Sequence, residues 1–360
     1  MKFLLVGTNP ENTGAATHFV ALAEALVEAG HEVGVVASPD SLIAQELTRT
    51  SVHLHHATFR NAFDLRACGK VYTAAMQMRA DWLIGNFGKE YWPLIVIGRL
   101  LRIPVALFRH RTPPMKTLSG WLLPRLARRF FAVSNYARQA YLDQGIPAAR
   151  IQVLYNPVNT QRCQPDSRQR STMLQRLGID ENAIVLGYVG RMHRGKGPFK
   201  LLEAASMAMA EEPRLHCLWI GDGPDAQALR QQAESSACAS RHRFVGWVHD
   251  IHPWYSAMSM LAFPSIAPET FGRVSVEAQA AGVPVMGSDI GGIPETMLPG
   301  STGLLLVPGD SNAWRDAILR LCEPSLRLTM GAAARQFVLQ HFSTLIIAAE
   351  LVRSLSEVQP

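Results

Sequence analysis

Short apolar runs alternate along the chain with helix-length amphipathic segments. In the first half the apolar runs are KFLLVG, HEVGVVA, WLIGN, PVALFRH, RFFAVS and RIQVLYN, and a helical pattern covers about residues 15–29 between the first two. Apolar strands that alternate with helices are typical of a parallel sheet covered on both faces. The pattern therefore predicts a repeated β-α-β fold.

A polar, irregular stretch near residues 157–171 separates this series from a second one, AIVLGYVG, LHCLWIG, MLAFP and PVMGS. With 360 residues the chain is long enough for two hydrophobic cores. We predict an α/β protein with two doubly wound, Rossmann-like domains, residues 1–160 and 161–340, that face each other across a ligand-binding cleft. The last segment, residues 341–360, has helical periodicity and is predicted to pack back on the N-terminal domain.

Positive charge is concentrated in the N-terminal half. The formal net charge is +6; residues 1–160 hold 17 Lys and Arg against 10 Asp and Glu, whereas residues 161–360 hold 18 against 19. Within residues 97–150 there are ten basic residues and one acid, Asp143. Such a field attracts an anionic partner. Nucleic acid is disfavoured as that partner, because the segment contains no recognised nucleic-acid-binding motif.

The cysteines and histidines indicate neither a disulfide framework nor a metal site. The five cysteines are scattered and never form a C-x-x-C pair, and His53, His55 and His56 lie on a short alternating segment without a metal-binding motif. The chain contains no run of eighteen apolar residues, and MKFLLVGTNP lacks the long apolar run of a secretory signal. We expect a cytoplasmic protein.

A basic loop with several glycines, GRMHRGK at residues 190–196, follows an apolar strand and precedes a helix expected to begin near Pro198. Glycine lets the backbone approach a ligand, a helix N-terminus favours anions, and Arg191 and Lys196 supply positive charge for phosphate oxygens. A solvated connection is the alternative interpretation, because the loop matches neither a Walker A motif nor G-x-G-x-x-G.

A second element, PETFGRVSVEAQAAGVPV, places Glu269 and Glu277 eight residues apart, with a helix expected to begin near Gly272. Backbone amides near Phe271 and Gly272 are suited to capping a diphosphate, and carboxylates accept hydrogen bonds from ligand hydroxyls. For either glutamate taken alone, a solvated helix charge is the alternative.

Together these elements resemble the retaining glycosyltransferases of family 4, or glycosyl transferases group 1, which have the GT-B fold. In that family an E-x7-E element, here Glu269 to Glu277, follows a strand that ends like LAFPS and precedes A-x-A-x-G-x-P-V, here AQAAGVPV, and then GGIPE, here residues 291–295. All occur in this order, and the resemblance covers nearly the full chain. It is more specific for the family than for the substrate.

The resemblance implies transfer of a sugar from a nucleoside-diphosphate donor, of UDP or GDP type, to an acceptor. It implies that Arg191 and Lys196 hold the diphosphate, that Glu269 contacts the donor sugar and that Glu277 binds ribose hydroxyls. The other implied donor-site positions are Gly190, Gly221 in GDGP, Trp247 and Val248 near the base, and Phe271, Gly272 and Val274 at the pyrophosphate.

In the first domain the family has a glycine-rich loop after strand one, usually with two adjacent glycines near the donor phosphates. Here Gly14 matches and Thr13 departs from that pattern, which predicts a reshaped acceptor side. His110 ends the strand PVALFRH and matches a family histidine near the reacting sugar; a surface histidine in a basic loop is the alternative. Its neighbours Arg109 and Arg111 favour an anionic acceptor.

Such a transfer builds negative charge on the departing phosphate, so preplaced cations and amide dipoles are expected to supply much of the catalysis. We assign His110, Arg191, Lys196 and Glu269 to the catalytic site, and the glutamate pair receives no glycosidase role. No D-x-D motif lies at a donor-site position. We therefore predict neither a metal nor a cofactor beside the sugar nucleotide.

Residues 115–132 mix leucines and Trp121 with Arg125, Arg128 and Arg129. This segment either docks on an anionic membrane surface at the inner face of the membrane, or packs on its own domain, since Pro124 interrupts the amphipathic run. Docking would favour a glycolipid acceptor such as a lipopolysaccharide-core or cell-surface polysaccharide intermediate.

Two other functions stay open at this point. One is a nucleotide-sugar 2-epimerase, which the E-x7-E and GGIPE elements disfavour. The other is a non-catalytic sugar-nucleotide binder, which the presence of His110 and Glu269 disfavours.

Overall fold

A computed structural model describes residues 1–11, 13–113, 115 and 117–357. The chain divides into two compact units. The first comprises residues 1–157 and the described residues from Phe342 onward, and the second comprises Val158–His341. These boundaries lie within three residues of positions 160 and 340.

Among its described residues, the first unit contains seven strands and, before the second unit begins, six helices. The strands are β1 (Lys2–Gly7), β2 (Glu32–Ala37), β3 (His53–His56), β4 (Trp82–Gly85), β5 (Val105–Arg109), β6 (Arg129–Ala132) and β7 (Ile151–Val153). The helices are α1 (Gly14–Glu28), α2 (Leu42–Leu47), α3 (Leu65–Met78), α4 (Tyr91–Leu101), α5 (Thr117–Leu126) and α6 (Asn135–Asp143), and a short 3-10 helix spans Ala148–Arg150.

The second unit repeats the plan with six strands and seven helices. The strands are β8 (Ile184–Val189), β9 (Leu215–Ile220), β10 (His242–Gly246), β11 (Met260–Phe263), β12 (Val285–Ser288) and β13 (Gly303–Leu306). The helices are α7 (Ser167–Leu177), α8 (Pro198–Glu211), α9 (Ala226–Glu234), α10 (His252–Ala257), α11 (Arg273–Ala280), α12 (Ser311–Cys322) and α13 (Pro324–His341), with 3-10 helices at Arg194–Lys196, Ala239–Arg241 and Pro294–Thr296.

The last helix, α14 (Thr344–Ser356), packs against α1 of the first unit. Its buried side chains, Ile347 and Leu351 among them, join the core on the α1 and α2 face of the sheet. The opposite face is covered by α3 to α6, which contribute Val71, Leu94 and Tyr141. Both faces of the first sheet are therefore buried, which explains why its strands are apolar runs rather than alternating ones.

All pairings in the two sheets are parallel, in the orders β3-β2-β1-β4-β5-β6-β7 and β10-β9-β8-β11-β12-β13. The predicted doubly wound α/β architecture is confirmed for both units. In each sheet the chain adds strands on one side of the first strand and then crosses to the other side. The switch points lie between β1 and β4 and between β8 and β11, where connections leave on opposite faces and open a ligand crevice at the carboxyl ends of the strands.

Two local predictions are wrong. Pro124 lies inside α5, which continues to Leu126 because Leu123 is buried in the core and that packing outweighs one lost backbone hydrogen bond. Helix α7 begins at Ser167, within the stretch predicted to be irregular, because the Asp166 carboxylate caps it by accepting hydrogen bonds from two backbone amides. In the predicted membrane segment, Lys116 lies outside the described residues.

Candidate functional site

Lys196 and Glu269 meet at the switch point of the second sheet. Lys196 ends the 3-10 helix after β8, and Glu269 lies in the loop between β11 and α11. The Lys196 ammonium forms an ion pair with Glu269 Oε1, and the Ser265 hydroxyl donates to the same oxygen at 2.6 Å. The two charged side chains keep 36% and 17% of their surface exposed. A ligand in the crevice can therefore reach both.

Backbone contacts hold the two loops against each other. The carbonyl of Gly195 accepts hydrogen bonds from the amides of Ile266 and Ala267, both at 2.9 Å. Gly197 has φ +70°, and a Cβ there would overlap the carbonyl oxygen of Pro264. Only glycine permits that approach. The glycines of the basic loop therefore serve contact between loops of the chain itself.

The two glycines of the GGIPE motif, Gly291 and Gly292, pack against the backbone of the Glu269 loop. The Gly292 amide donates to the carbonyl of Glu269 at 2.8 Å. A Cβ would lie 2.5 Å from the Glu269 carbonyl oxygen if placed at Gly291, and 2.5 Å from the Thr270 carbonyl oxygen if placed at Gly292. The motif thus fixes the backbone that carries Glu269.

The N-terminus of α11 lies directly after this loop, as predicted. Phe271 and Gly272 are buried, Gly272 has φ +147°, and Val274 is half-buried in the first turn. The helix spans eight residues and has no acidic residue in its first turn. Its positive end can therefore face an anion at the switch point.

Glu277, on the second turn of α11, has different partners from Glu269. Its Oε1 accepts from the Arg273 guanidinium, and its Oε2 accepts from the Tyr255 hydroxyl at 2.8 Å. The side chain of Glu277 is buried, and Tyr255 is fully buried. Burial of a carboxylate is tolerated here because both oxygens have hydrogen-bond donors, one of them charged.

Three loops after neighbouring strands meet through their glycines. The Gly221 amide donates to the carbonyl of Gly246 at 2.8 Å, and a Cβ at Gly221 would overlap the carbonyl oxygen of Gly190. Position 221 therefore needs glycine because of its contact with the Gly190 backbone, whether or not a ligand binds nearby. Trp247, just after β10, is 61% exposed, and Val248 is half-buried.

Arg191 follows Gly190 and has an exposed side chain. Its carbonyl accepts from the Tyr188 hydroxyl at 3.0 Å, which fixes the backbone. Within the part of the chain that the structure describes, its guanidinium forms no ion pair. Arg191 thus presents an uncompensated positive charge at the end of β8, beside the strand that leads to Glu269.

His110 and Gly14 belong to the first unit. His110 Nε2 lies 2.7 Å from Asn86 Oδ1, and Asn86 Nδ2 donates to the carbonyl of Ala15 at 2.9 Å. Because a carbonyl oxygen only accepts, the Asn86 oxygen faces the imidazole, and His110 Nε2 carries a proton. Gly14 is the exposed first residue of α1, and a Cβ there would meet nothing within 4 Å in the part of the chain that the structure describes.

The two arginines that flank His110 differ in their surroundings. The half-buried Arg109 donates to the carbonyl of Pro113, and its guanidinium lies 6.0 Å from the ring centre of Tyr141. The Tyr141 hydroxyl in turn donates to the carbonyl of Arg111 at 2.6 Å. Arg109 therefore braces the loop, whereas the Arg111 side chain is exposed to solvent.

A buried acid lies at the switch point of the first sheet. Glu90 Oε1 accepts from the Thr8 hydroxyl at 2.8 Å, and Oε2 accepts from the amide of Phe87 at 3.3 Å. Thr8 follows β1 and Phe87 follows β4. Burial raises the pKa of Glu90 to about 8, although hydrogen bonds from Thr8 and its neighbours oppose that rise.

Sequence reasoning missed Asn86, Ser265 and Tyr255. Asn86 and Ser265 each lie within two residues of the end of a buried strand, so a search for polar residues at such positions would have found them. Tyr255 lies in α10 and carries no comparable signal. Among the described residues, no group of three or more His, Cys, Asp or Glu side chains is arranged to hold a metal ion.

Two family models match the chain, one over each unit. The model described as "Glycosyltransferase Family 4" matches residues 12–162, and the model described as "Glycosyl transferases group 1" matches residues 183–324. Together the two stretches cover most of the chain.

Curated relatives include D-inositol 3-phosphate glycosyltransferases. The protein of Corynebacterium urealyticum is 32% identical over 238 residues, which are 62% of this chain and 56% of that protein. The protein of Kribbella flavida is 29% identical over 276 residues, 70% of this chain and 64% of that protein. The chain thus spans less than two thirds of the length of these relatives.

Solved structures share the fold over the whole chain. Anabaena Alr3699/HepE in complex with UDP has a TM-score of 0.85 at 23% identity, covering 99% of this chain and all of that one. A glycosyltransferase from Rickettsia africae has the same TM-score at 20% identity, covering 99% and 98%. These likenesses confirm the GT-B fold class. The two family models, which match one unit each, establish that the chain belongs to glycosyltransferase family 4, the glycosyl transferases group 1.

Proposed function

We propose that this protein is a retaining glycosyltransferase that moves a hexosyl group from a nucleoside-diphosphate sugar to an acceptor. One observation carries the proposal: the switch point of the second sheet brings together Lys196, Glu269 and the N-terminus of α11. Cations and a helix N-terminus bind a diphosphate, and a carboxylate beside them binds sugar hydroxyls. Family membership supports this assignment.

The proposed chemistry depends on charge stabilisation. As the bond between the anomeric carbon and the phosphate oxygen breaks, Lys196, Arg191 and the positive end of α11 stabilise the negative charge on the leaving diphosphate. The acceptor hydroxyl attacks from the leaving-group side, and a phosphate oxygen takes its proton. Glu269 orients the donor sugar within the second unit. No carboxylate nucleophile is required.

A uridine donor is the first choice within this proposal. Alr3699/HepE, whose fold this chain shares, was solved in complexes with UDP and with UDP-glucose. The exposed Trp247 at the end of β10 is suited to stacking on a base. Guanosine stays the alternative, since the identity to that protein is below 25%.

A thermal-shift screen with UDP-, GDP- and ADP-sugars tests the donor, because a ligand that binds the folded state raises Tm with its concentration. Product analysis by NMR then tests the reaction, with retention expected at the anomeric carbon. Epimerisation of the sugar without an acceptor would instead support an isomerase. Binding without turnover of any kind would support a non-catalytic binder.

We further propose that the acceptor carries an anionic group. The exposed Arg111 and the positive field of residues 97–150 support this, as do relatives named for D-inositol 3-phosphate. The test compares D-inositol 3-phosphate, unphosphorylated inositol and a phosphorylated glycolipid as acceptors. Arg111→Gln should raise the KM of the preferred phosphorylated acceptor and leave the KM of the donor unchanged.

We also propose that an anionic membrane surface is a partner, and that it binds a face formed by α4 and α5. Helices α4 and α5 are joined by a hydrogen bond from Trp92 to Ser119 of 3.0 Å, and they expose apolar side chains beside arginines. The apolar set is Val96, Leu100, Leu118 and Trp121, and the basic set is Arg99, Arg102, Arg125 and Arg128. Apolar side chains among cations match an anionic bilayer surface. Among the described residues, no helix is long and apolar enough to cross a bilayer.

Co-sedimentation with vesicles tests this face. Binding should require anionic lipid and should fall several-fold in Trp121→Ser. Leu328→Ser is the control, because Leu328 is also an exposed apolar residue, 71% against 56% for Trp121, but lies on α13. Binding that is independent of anionic lipid, or equal in the two variants, would remove the membrane from the proposal.

A further inference from the structure

The carboxylate of Glu277 has one more protein hydrogen-bond donor than it needs to balance its charge. The Arg273 guanidinium alone compensates its negative charge. Tyr255 adds a second hydrogen bond, at 2.8 Å, to the other carboxylate oxygen. The carboxylate is therefore fixed at both oxygens, and it cannot rotate about its terminal bond without losing a bond to one of these side chains.

Tyr255 makes this contact from a fully buried position on α10. Its ring packs in the core on one face of the second sheet, where a phenylalanine ring would fill the same space. Its hydroxyl donates to Glu277. Burial and the neighbouring Glu277 charge raise the pKa of Tyr255, so the hydroxyl stays protonated and donates at neutral pH.

The position of Glu277 on α11 suits a ligand that is anchored at the helix N-terminus. Glu277 lies four residues beyond Arg273, which corresponds to about 6 Å along the helix axis. Each carboxylate oxygen has more than one acceptor direction, so Glu277 can accept from ligand hydroxyls while it keeps both protein donors. A carboxylate fixed in this way selects for the geometry of two adjacent hydroxyls.

We propose that Tyr255 is a positioning residue that holds Glu277 in the orientation that binds the two ribose hydroxyls, and so determines selectivity for ribonucleotides over deoxyribonucleotides. This inference rests on the proposed function, because it assumes a nucleoside diphosphate at α11. A site built to bind hydroxyls discriminates strongly against a ligand that lacks them, since its polar groups are then left unpaired.

Calorimetric titration of the full chain with UDP and with 2′,3′-dideoxy-UDP tests the inference. Wild type should prefer UDP roughly tenfold or more. Tyr255→Phe should lose most of that preference. It should still bind the dideoxy ligand as tightly as wild type does, because the substitution weakens only the contact between Glu277 and the ribose hydroxyls. Tyr91→Phe is the matched control: Tyr91 is a buried tyrosine of the first unit whose hydroxyl donates to the carbonyl of Phe108, and it should keep the preference.

The possible outcomes distinguish the role of Tyr255 from the proposed donor site on which it depends. A wild type that binds neither UDP nor GDP overturns both. A wild type that binds UDP and dideoxy-UDP equally, or a Tyr255→Phe variant that weakens both ligands equally, overturns the role of Tyr255 and leaves the donor site standing. Glu277→Gln provides a second route, and it should reduce the preference at least as much as Tyr255→Phe.

Discussion

Lys196 and Glu269 form an ion pair that is weak enough to be exchanged. Both side chains are partly exposed, and ion pairs of that kind contribute only ~1 kcal/mol or less to stability. An incoming diphosphate carries more negative charge than one carboxylate and can compete for Lys196. The two residues therefore need not share one ligand group: the ammonium is suited to the phosphate, and the carboxylate to the sugar.

Glu269→Gln should separate these roles. Removal of the competing carboxylate should leave the affinity for UDP unchanged or higher, whereas kcat for sugar transfer should fall by roughly a hundredfold, a typical loss for an interaction made at the reacting group. Calorimetry with UDP and a transfer assay measure the two effects. Glu234→Gln, a change on α9, is the control. A weaker affinity for UDP at full kcat would reverse the assignment.

Gly14→Ala should separate folding from function in the first unit. Alanine is the better helix former at the first residue of α1, and its Cβ meets no atom within 4 Å, so the free energy of unfolding should rise by about 0.5–1 kcal/mol. If the donor phosphates approach this backbone, transfer should fall at the same time. Chemical denaturation and initial rates measure the two effects, and full activity would remove Gly14 from the site.

Glu90 should make stability depend on pH. An exposed glutamate ionises near 4.5, whereas in the folded protein the pKa of Glu90 is raised to about 8 by burial. Between these values the folded state binds more protons than the unfolded state, so the contribution of Glu90 to the free energy of unfolding decreases as pH rises from about 5 to 8, by up to ~1.4 kcal/mol per pH unit.

Glu90→Gln mimics the protonated form and should lack this contribution. Urea denaturation of both proteins at several pH values measures it as the difference between them, because the other titrating groups cancel. The difference should grow toward pH 8 in favour of the variant. A constant difference across this range would mean that Glu90 is ionised in the folded state.

At the scale of elements, the loops of the second unit are shaped by glycines that touch other loops. Gly197 meets Pro264, Gly221 meets Gly190, and Gly292 meets Thr270. The loops after β8 and β11 and the GGIPE turn therefore form one packed layer over the carboxyl ends of the strands. Helix α11 begins within that layer, so its N-terminus and Glu269 are fixed by the same contacts.

Gly292→Ala should test that layer. A Cβ at this position would lie 2.5 Å from the Thr270 carbonyl oxygen and 3.0 Å from Phe271 Cα, so the Glu269 loop must shift. We expect the free energy of unfolding to fall by about 1–3 kcal/mol and the affinity for UDP to fall with it. Gly69→Ala, on an open face of α3, is the control and should not destabilise the fold. Unchanged UDP affinity in Gly292→Ala would show that the loop is not part of the site.

The inner strands could be predicted from sequence because the apolar runs of a doubly covered parallel sheet are distinct from its amphipathic helices. The predicted runs did not include β3, β10 and β13, which are all edge strands. The pairing of Lys196 with Glu269 could not be predicted, since it depends on backbone contacts between loops 73 residues apart. Tyr255 was missed because a buried tyrosine on a short helix gives no periodic signal, and Arg109 was grouped with Arg111 because sequence does not show which side chain turns inward. At Pro124 the sequence signal was present but misleading, because core packing of α5 outweighs the local effect of a helix-breaking residue.

At the scale of the molecule, the chain uses the same plan twice and places different chemistry on each copy. Near its switch point the first unit has two hydrogen-bonded pairs of polar side chains, Thr8 with Glu90 and Asn86 with His110. The second has the charged groups, Arg191, Lys196 and Glu269. The proposed function therefore assigns the donor to the second unit and the acceptor to the first.

The central claim is that the second unit binds a diphosphate through Lys196, Arg191 and the N-terminus of α11. Calorimetric titration of UDP and UMP into wild type and Lys196→Gln tests it most directly, because the two ligands differ by the single phosphate that these groups are proposed to hold. We expect wild type to bind UDP at least tenfold more tightly than UMP, and we expect this difference largely to disappear in Lys196→Gln. Equal affinities in wild type, or a difference that survives the substitution, would contradict it.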